Sequence, residues 1–193
     1  MIVPLKHGMS DSHQMNNETP HLGVDIGRVI IDGSSHPTGD DTAFFKGGMD
    51  NALRTPAMAG AFESIARLTA RFDGHVWLVS KCGDRVQART REWLAHHRFF
   101  ERTGIDPEHL RFCRQRPEKA IHCRELDITH FIDDRLDVLD ALEGIVAHRY
   151  LFGPQRSQYV TGDVTIELDW PAAESSVGAT LDSKTAVRER STP

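Results

Sequence analysis

The sequence predicts a doubly wound α/β domain, a mostly parallel, Rossmann-like sheet with helices on both faces. Three observations carry that expectation. Short apolar, β-prone runs alternate with stretches whose apolar residues recur at helical spacing. Several of these runs stop on polar residues, at Asp25, Ser80 and Asp133-Asp134. The chain has 193 residues, enough for one well-buried core and too few for two comfortable ones.

Taken in order, residues 1–20 turn polar after Lys6 and lack the apolar core and cleavage site of a signal peptide, so a disordered leader is expected. Residues 22–26 read as a buried strand that delivers Asp25 to its end, and Val29-Ile30-Ile31 stays apolar up to the turn signal Asp32-Gly33. Residues 34–57 are rich in turn formers and are expected to make a long, lid-like loop carrying Phe44, Phe45 and Lys46. Thr55-Pro56 reads as a helix start, followed by Met58, Phe62, Ile65, Leu68 and Phe72 at helical spacing until Gly74. Residues 75–80 read as a buried strand ending at Ser80. Lys81-Cys82-Gly83 is a turn, and a helix from Asp84 turns Val86, Trp93 and Leu94 inward.

Residues 99–109 read as irregular around Gly104 and Pro107, and 110–113 as a short strand. Pro117 opens a helix with Lys119 in its first turn, where a cation opposes the helix dipole and calls for an anionic partner. Residues 129–134 form a strand that ends in paired carboxylates, 136–142 a short helix, 145–152 a fifth strand and 164–168 a late one. From 171 the composition turns to Ala, Ser, Thr and charge, so a disordered tail over 171–193 is expected behind a single domain over 21–170.

Bulk properties exclude several roles. Twenty-three basic against 28 acidic residues give a net charge of -5, and with no basic block there is no nucleic-acid signature. No apolar run approaches the roughly 20 residues that span a bilayer. The three cysteines, Cys82, Cys113 and Cys123, have neither disulfide-framework nor zinc spacing, which implies reduced thiols and a cytoplasmic protein. The histidines are scattered and are assigned no chemistry.

A lone Asp25 could be a turn aspartate capping a strand end. Its company argues for more. Asp25, Ser80 and Asp133-Asp134 all fall at the carboxyl ends of strands, where open parallel sheets bind ligands, and Lys119 follows another strand. Carboxylates there suit a hard cation such as Mg²⁺, and a hydroxyl with an ammonium completes a cradle for a phosphoryl group.

In these residues the sequence resembles the haloacid dehalogenase-like hydrolase superfamily over about residues 21–152. The resemblance rests on Asp25-Ile-Gly27-Arg-Val-Ile, Ser80 after Val76-Trp-Leu-Val79, Lys119 in Arg116-Pro-Glu-Lys, and Phe131-Ile-Asp133-Asp134. It implies that Asp25 attacks phosphorus to give an aspartyl-phosphate, that Ser80 binds a phosphoryl oxygen and that Lys119 neutralises charge. It implies Mg²⁺ held by Asp25, the Gly27 carbonyl, Asp133 and Asp134. Ser80, Lys81, Lys119, Arg28 and Lys46 are the expected substrate contacts, the substrate being a small phosphate monoester, nucleotidase-like as one subclass.

Many members of that superfamily carry a second aspartate, a general acid, where this chain has Gly27. Asp32, Asp40 and Asp41 are the nearby carboxylates, and no spacing places them. This departure keeps a catalytically weak or inactive binding module open as the alternative. A response-regulator receiver uses similar residues but in another order, with the acidic pair first. The intervals between Asp25, Ser80 and Lys119 hold no large cap domain. The open site that results suits a bulky substrate, or a roof from a second subunit of a homo-oligomer.

Overall fold

The computed structural model of the chain describes residues 19–32, 44–45, 47–155 and 163–190. Residues 1–18 of the leader expected over 1–20, and Asp40, Asp41 and Lys46, lie outside the described residues.

Six strands form one sheet: β1 (Leu22–Val24), β2 (Val76–Lys81), β3 (Leu110–Cys113), β4 (His130–Asp133), β5 (His148–Phe152) and β6 (Val164–Glu167). Their spatial order is β3-β2-β1-β4-β5-β6, and every neighbouring pair is parallel. Parallel strands need crossovers, which the helices supply: α1 (Met49–Leu53), α2 (Ala61–Arg71), α3 (Asp84–His96), α4 (Phe99–Thr103), α5 (Lys119–Glu125), α6 (Leu136–Ala141) and α7 (Trp170–Arg190). The chain winds outward from β1 through β2 to β3, then returns to β4 on the other side of β1. The switch point therefore lies between β1 and β4, where such sheets open a crevice.

Side chains alternate across the strands and build two apolar layers. Leu78, Ile132, Tyr150 and Phe152 pack with α2, α3, α4 and α7, while Trp77, Val79, Phe131 and Leu151 pack with α5 and α6. Gly23 stands beside Phe131 in the register, and a Cβ there would lie 2.4 Å from the Phe131 ring. The glycine is what lets that ring pack against the central strand.

Four expectations are corrected. The helix expected from Thr55-Pro56 begins at Ala61, because 55–58 are engaged elsewhere. The Thr55 hydroxyl donates back to the Asn51 carbonyl, Asp32 N–H donates to the Pro56 carbonyl, and Ala57 bridges Ile31 antiparallel. The 34–57 stretch contains α1, whose sole buried side chain is Ala52 and which therefore carries no apolar periodicity to read. The segment 99–109 contains α4, anchored by buried Phe99 and closed by Gly104 at φ 76°.

The fourth correction concerns the expected tail, because residues 170–190 form α7, the longest helix described. Trp170, Ala173 and Val177 are fully buried in the main core. Glu174 accepts hydrogen bonds from Ser64 and Arg67 of α2, and Asp169 caps the start by accepting from Ala172 N–H. Trp170 Nε1 also donates to the Val29 carbonyl at 2.7 Å, which ties α7 to the turn after β1. Replacing Trp170 with Ala should therefore cost about 3–5 kcal/mol, measured from urea unfolding curves. A loss under about 1 kcal/mol would show that α7 is not part of the core.

Candidate active site

The site is assembled by strand ends. Asp25 follows β1 and Asp133 ends β4, and these strands are in register with Val24 opposite Ile132. Asp25 N–H donates to the Ile132 carbonyl at 2.9 Å, which locks the two ends at one height. Ser80 lies one position before the end of β2, on the other side of β1. Lys119 opens α5 after a proline-containing turn at Arg116–Glu118.

Lys119 Nζ donates to Asp25 Oδ1 at 2.7 Å and to Asp133 Oδ2 at 2.7 Å. All three side chains are buried, with Lys119 at 2% exposure and Asp133 at none. Asp133 Oδ1 in turn accepts Arg135 N–H at 3.0 Å. Carboxylate oxygens of Asp25, Asp133 and Asp134 come within 4.8 Å of one another. Arg28 approaches Asp134 at 3.8 Å, and its φ of 62° makes it the left-handed corner of the turn after Asp25.

Burial works against the Lys119 charge, but attraction to Asp25 and Asp133 outweighs it and raises its pKa, so the ammonium stays charged. That one ammonium does not offset the burial of Asp133. Burial, with the nearby charge of Asp25, pushes Asp133 up from the ordinary carboxylate range. Asp134 is pushed up to about 6 by burial and then by Asp25. Burial, with the Asp25 charge, also drives the Cys82 thiol up to about 12, so this cavity-lining cysteine is a protonated bystander.

Three carboxylates face one ammonium, which leaves two formal negative charges when all are ionised. An all-oxygen donor set with that charge fits a hard divalent cation. The fit rests on the donors themselves: burial first, and then the charge of Asp25, raises the pKa values of Asp133 and Asp134, and a cation among them would offset both.

The cavity above this centre encloses about 390 Å³. Among the expected residues, Asp25, Gly27, Arg28, Ser80, Lys81, Lys119, Asp133 and Asp134 all line it. Phe44 and Phe45 form part of its wall, held by Arg89, which donates to the Phe44 carbonyl at 2.6 Å and to the Gly47 carbonyl. Asp32 is not on the wall. Arg116 and Arg135 are wall residues that the sequence reading did not weigh; the available signal was their place beside Lys119 and directly after Asp134.

A parallel doubly wound sheet with a carboxylate-ammonium-carboxylate centre at its switch point defines a fold and a place for a ligand rather than one enzyme. Comparison narrows the fold. The chain is similar to a haloacid dehalogenase-like family hydrolase from Xanthomonas campestris, with a TM-score of 0.62 and 13% identity, over 86% of this chain and 97% of that one. It matches no protein-family model and no curated protein. The chain has the haloacid dehalogenase-like fold. Among the described residues no helix is long and apolar enough to cross a membrane.

The raised carboxylates give a pH prediction whose sign is fixed. A carboxyl with a higher pKa folded than unfolded binds its proton more tightly when folded, so its stabilisation is present at low pH and lost as pH rises. For Asp134 that loss runs from about 4, its ordinary value, to about 6. Magnesium binding needs the ionised forms, so MgCl₂ should raise the melting temperature more at about pH 8 than at about pH 5. Equal gains at both pH values would remove Asp133 and Asp134 from the cation site.

Proposed function

We propose that the chain is a Mg²⁺-dependent phosphohydrolase that cleaves a phosphate monoester through an aspartyl-phosphate on Asp25. The observation that carries this reading is Lys119 Nζ at 2.7 Å from both Asp25 and Asp133, with Asp134 beside them, at the floor of the switch-point cavity. Asp25, Asp133 and Asp134, with the Gly27 carbonyl on the resemblance, would hold the cation. When bound, the cation would polarise the phosphoryl group and screen it from the carboxylates.

The protein's own groups divide the remaining work. Lys119 holds Asp25 by one oxygen, and Asp25 Oδ2 has no hydrogen bond among the described residues. This oxygen is the nucleophile: its lone pair forms the new P–O bond as the ester P–O bond breaks, and the leaving oxygen takes a proton from solvent, since Gly27 offers none. Water then attacks phosphorus, the bond to Asp25 breaks, and the carboxylate and inorganic phosphate are released. Lys119 spends two of its three N–H donors on carboxylates, which leaves the third for a phosphoryl oxygen. Ser80, also on the cavity wall, supplies a hydroxyl. The half-exposed Phe45 ring would serve as a platform for a flat leaving group, which keeps a nucleoside monophosphate among the candidate substrates.

Purified protein should hydrolyse 4-nitrophenyl phosphate with MgCl₂ and lose that activity with chelator, and Asp25→Asn should lower turnover by at least about 10³-fold without unfolding. An Asp25→Asn variant with near wild-type activity would refute the nucleophile. Absence of turnover across a broad ester panel would favour the binding-module reading, which the missing acid at Gly27 motivates.

Gly27 itself can be tested because the structure leaves room for it. Its φ lies outside the left-handed region and a Cβ would meet nothing within 4 Å. Gly27→Asp should therefore be tolerated, and it should speed alkyl phosphates more than aryl phosphates by roughly 10-fold or more, since a poor leaving group gains most from a proton donor. Equal effects on both classes would mean that leaving-group protonation is not limited at this position.

A further inference from the structure

The upper wall of the cavity differs in charge from its floor. Lys81, Arg116 and Arg135 line the cavity together with Arg28 and Lys119, so five cationic side chains face the three carboxylates of the described wall. A divalent cation brings the wall to four formal positive charges, and a phosphate monoester dianion offsets only two of them. The excess sits on side chains away from the reacting centre.

Arg116 and Arg135 are also arranged as a pair. Arg135 Nε and Nη2 donate to the two oxygens of Asp137 at 2.9 and 3.3 Å, and Arg116 Nη1 reaches the same carboxylate at 3.9 Å. One carboxylate-sized anion can thus lie within reach of both guanidiniums. Asp137 is about half exposed and its hold on Arg116 is long, so a competing anion displaces little. The Lys81 ammonium makes no hydrogen bond or ion pair among the described residues, and the side chain is on the cavity wall. Phe44, Phe45, Val86 and Val138 also line the cavity and offer apolar surface suited to a carbon skeleton.

We propose that the preferred ester carries a second anionic group, a phosphate or carboxylate on its leaving group, received by Arg116, Arg135 and Lys81. This rests on the phosphohydrolase reading and names the substrate class of the same site. Planar guanidiniums with bidentate capacity are the side chains best matched to such a group.

The test compares fructose 1,6-bisphosphate with fructose 6-phosphate, and 3-phosphoglycerate with glycerol 3-phosphate, in wild type, Arg116→Ala and Arg135→Gln. Wild type should favour the doubly anionic member of each pair by roughly 10-fold or more in kcat/KM, mainly through KM. Each substitution should shrink that ratio, and Arg116→Lys should restore part of it. The two pairs separate a second phosphate from a carboxylate. Turnover with no preference, or a preference that survives both substitutions, overturns the proposal while leaving the phosphohydrolase reading intact. If no ester is turned over, that reading fails, and thermal shift with the same four compounds plus MgCl₂ decides this one. A larger shift for the doubly anionic compounds that is lost in Arg116→Ala supports it, and equal shifts overturn it.

Discussion

The ammonium of Lys119, buried between Asp25 and Asp133, is the interaction on which the rest of the structure depends. Removing one partner of a buried ion pair leaves an uncompensated charge at a cost of roughly 3–5 kcal/mol, and here both carboxylates would be stranded together. The fold supplies the conditions that make this arrangement tolerable. Parallel pairing puts the ends of β1 and β4 side by side, the Asp25 amide is bonded to β4, and α5 begins below them with Lys119 as its first residue. Phe131 fills the layer beneath, with the Lys119 ammonium 5.6 Å from its ring centre, and it fits only because Gly23 has no side chain.

The same centre is held from the opposite face of the sheet. The turn after Asp25 bends through Arg28 at positive φ, and its Val29 carbonyl is satisfied by Trp170 of α7. Arg89 of α3 performs a similar service for the segment bearing Phe44 and Phe45, by spending its guanidinium on two backbone carbonyls. Backbone that would otherwise be free near the cavity is thereby fixed by side chains from helices distant in sequence. A chemically active carboxylate profits from this, because its position is set by the core rather than by a loop.

Those long-range ties explain what the sequence disclosed and what it did not. Strand ends are local events: an apolar run that stops at Asp25, Ser80 or Asp133-Asp134 shows its boundary directly, so the centre and the sheet that gathers it were legible. Arg116 and Arg135 were not, since surface arginines are common and only the packing of two crossovers against one crevice brings these two to a shared carboxylate. The helix at 170–190 was missed on composition, although Asp169 as a cap, Pro171 in the first turn and the spacing of Trp170, Ala173 and Val177 were present to be read. The short helices α1 and α4 hold too few buried residues to show a period. The helix expected at Thr55-Pro56 failed for a tertiary reason, the pairing of 55–58 with 30–32.

On the proposed reading, the cavity separates charge vertically. Cations around Arg116, Arg135 and Lys81 draw an anionic ester toward the mouth, while three carboxylates at the floor repel its phosphoryl group. A single buried ammonium does not reverse that repulsion, because it is already shared between Asp25 and Asp133. Asp25, Asp133 and Asp134 would hold a divalent cation at the floor, and its charge would screen an incoming ester from them. The site thus joins two selections that need different chemistry, oxygen ligands suited to a hard cation below and guanidiniums suited to an anion above.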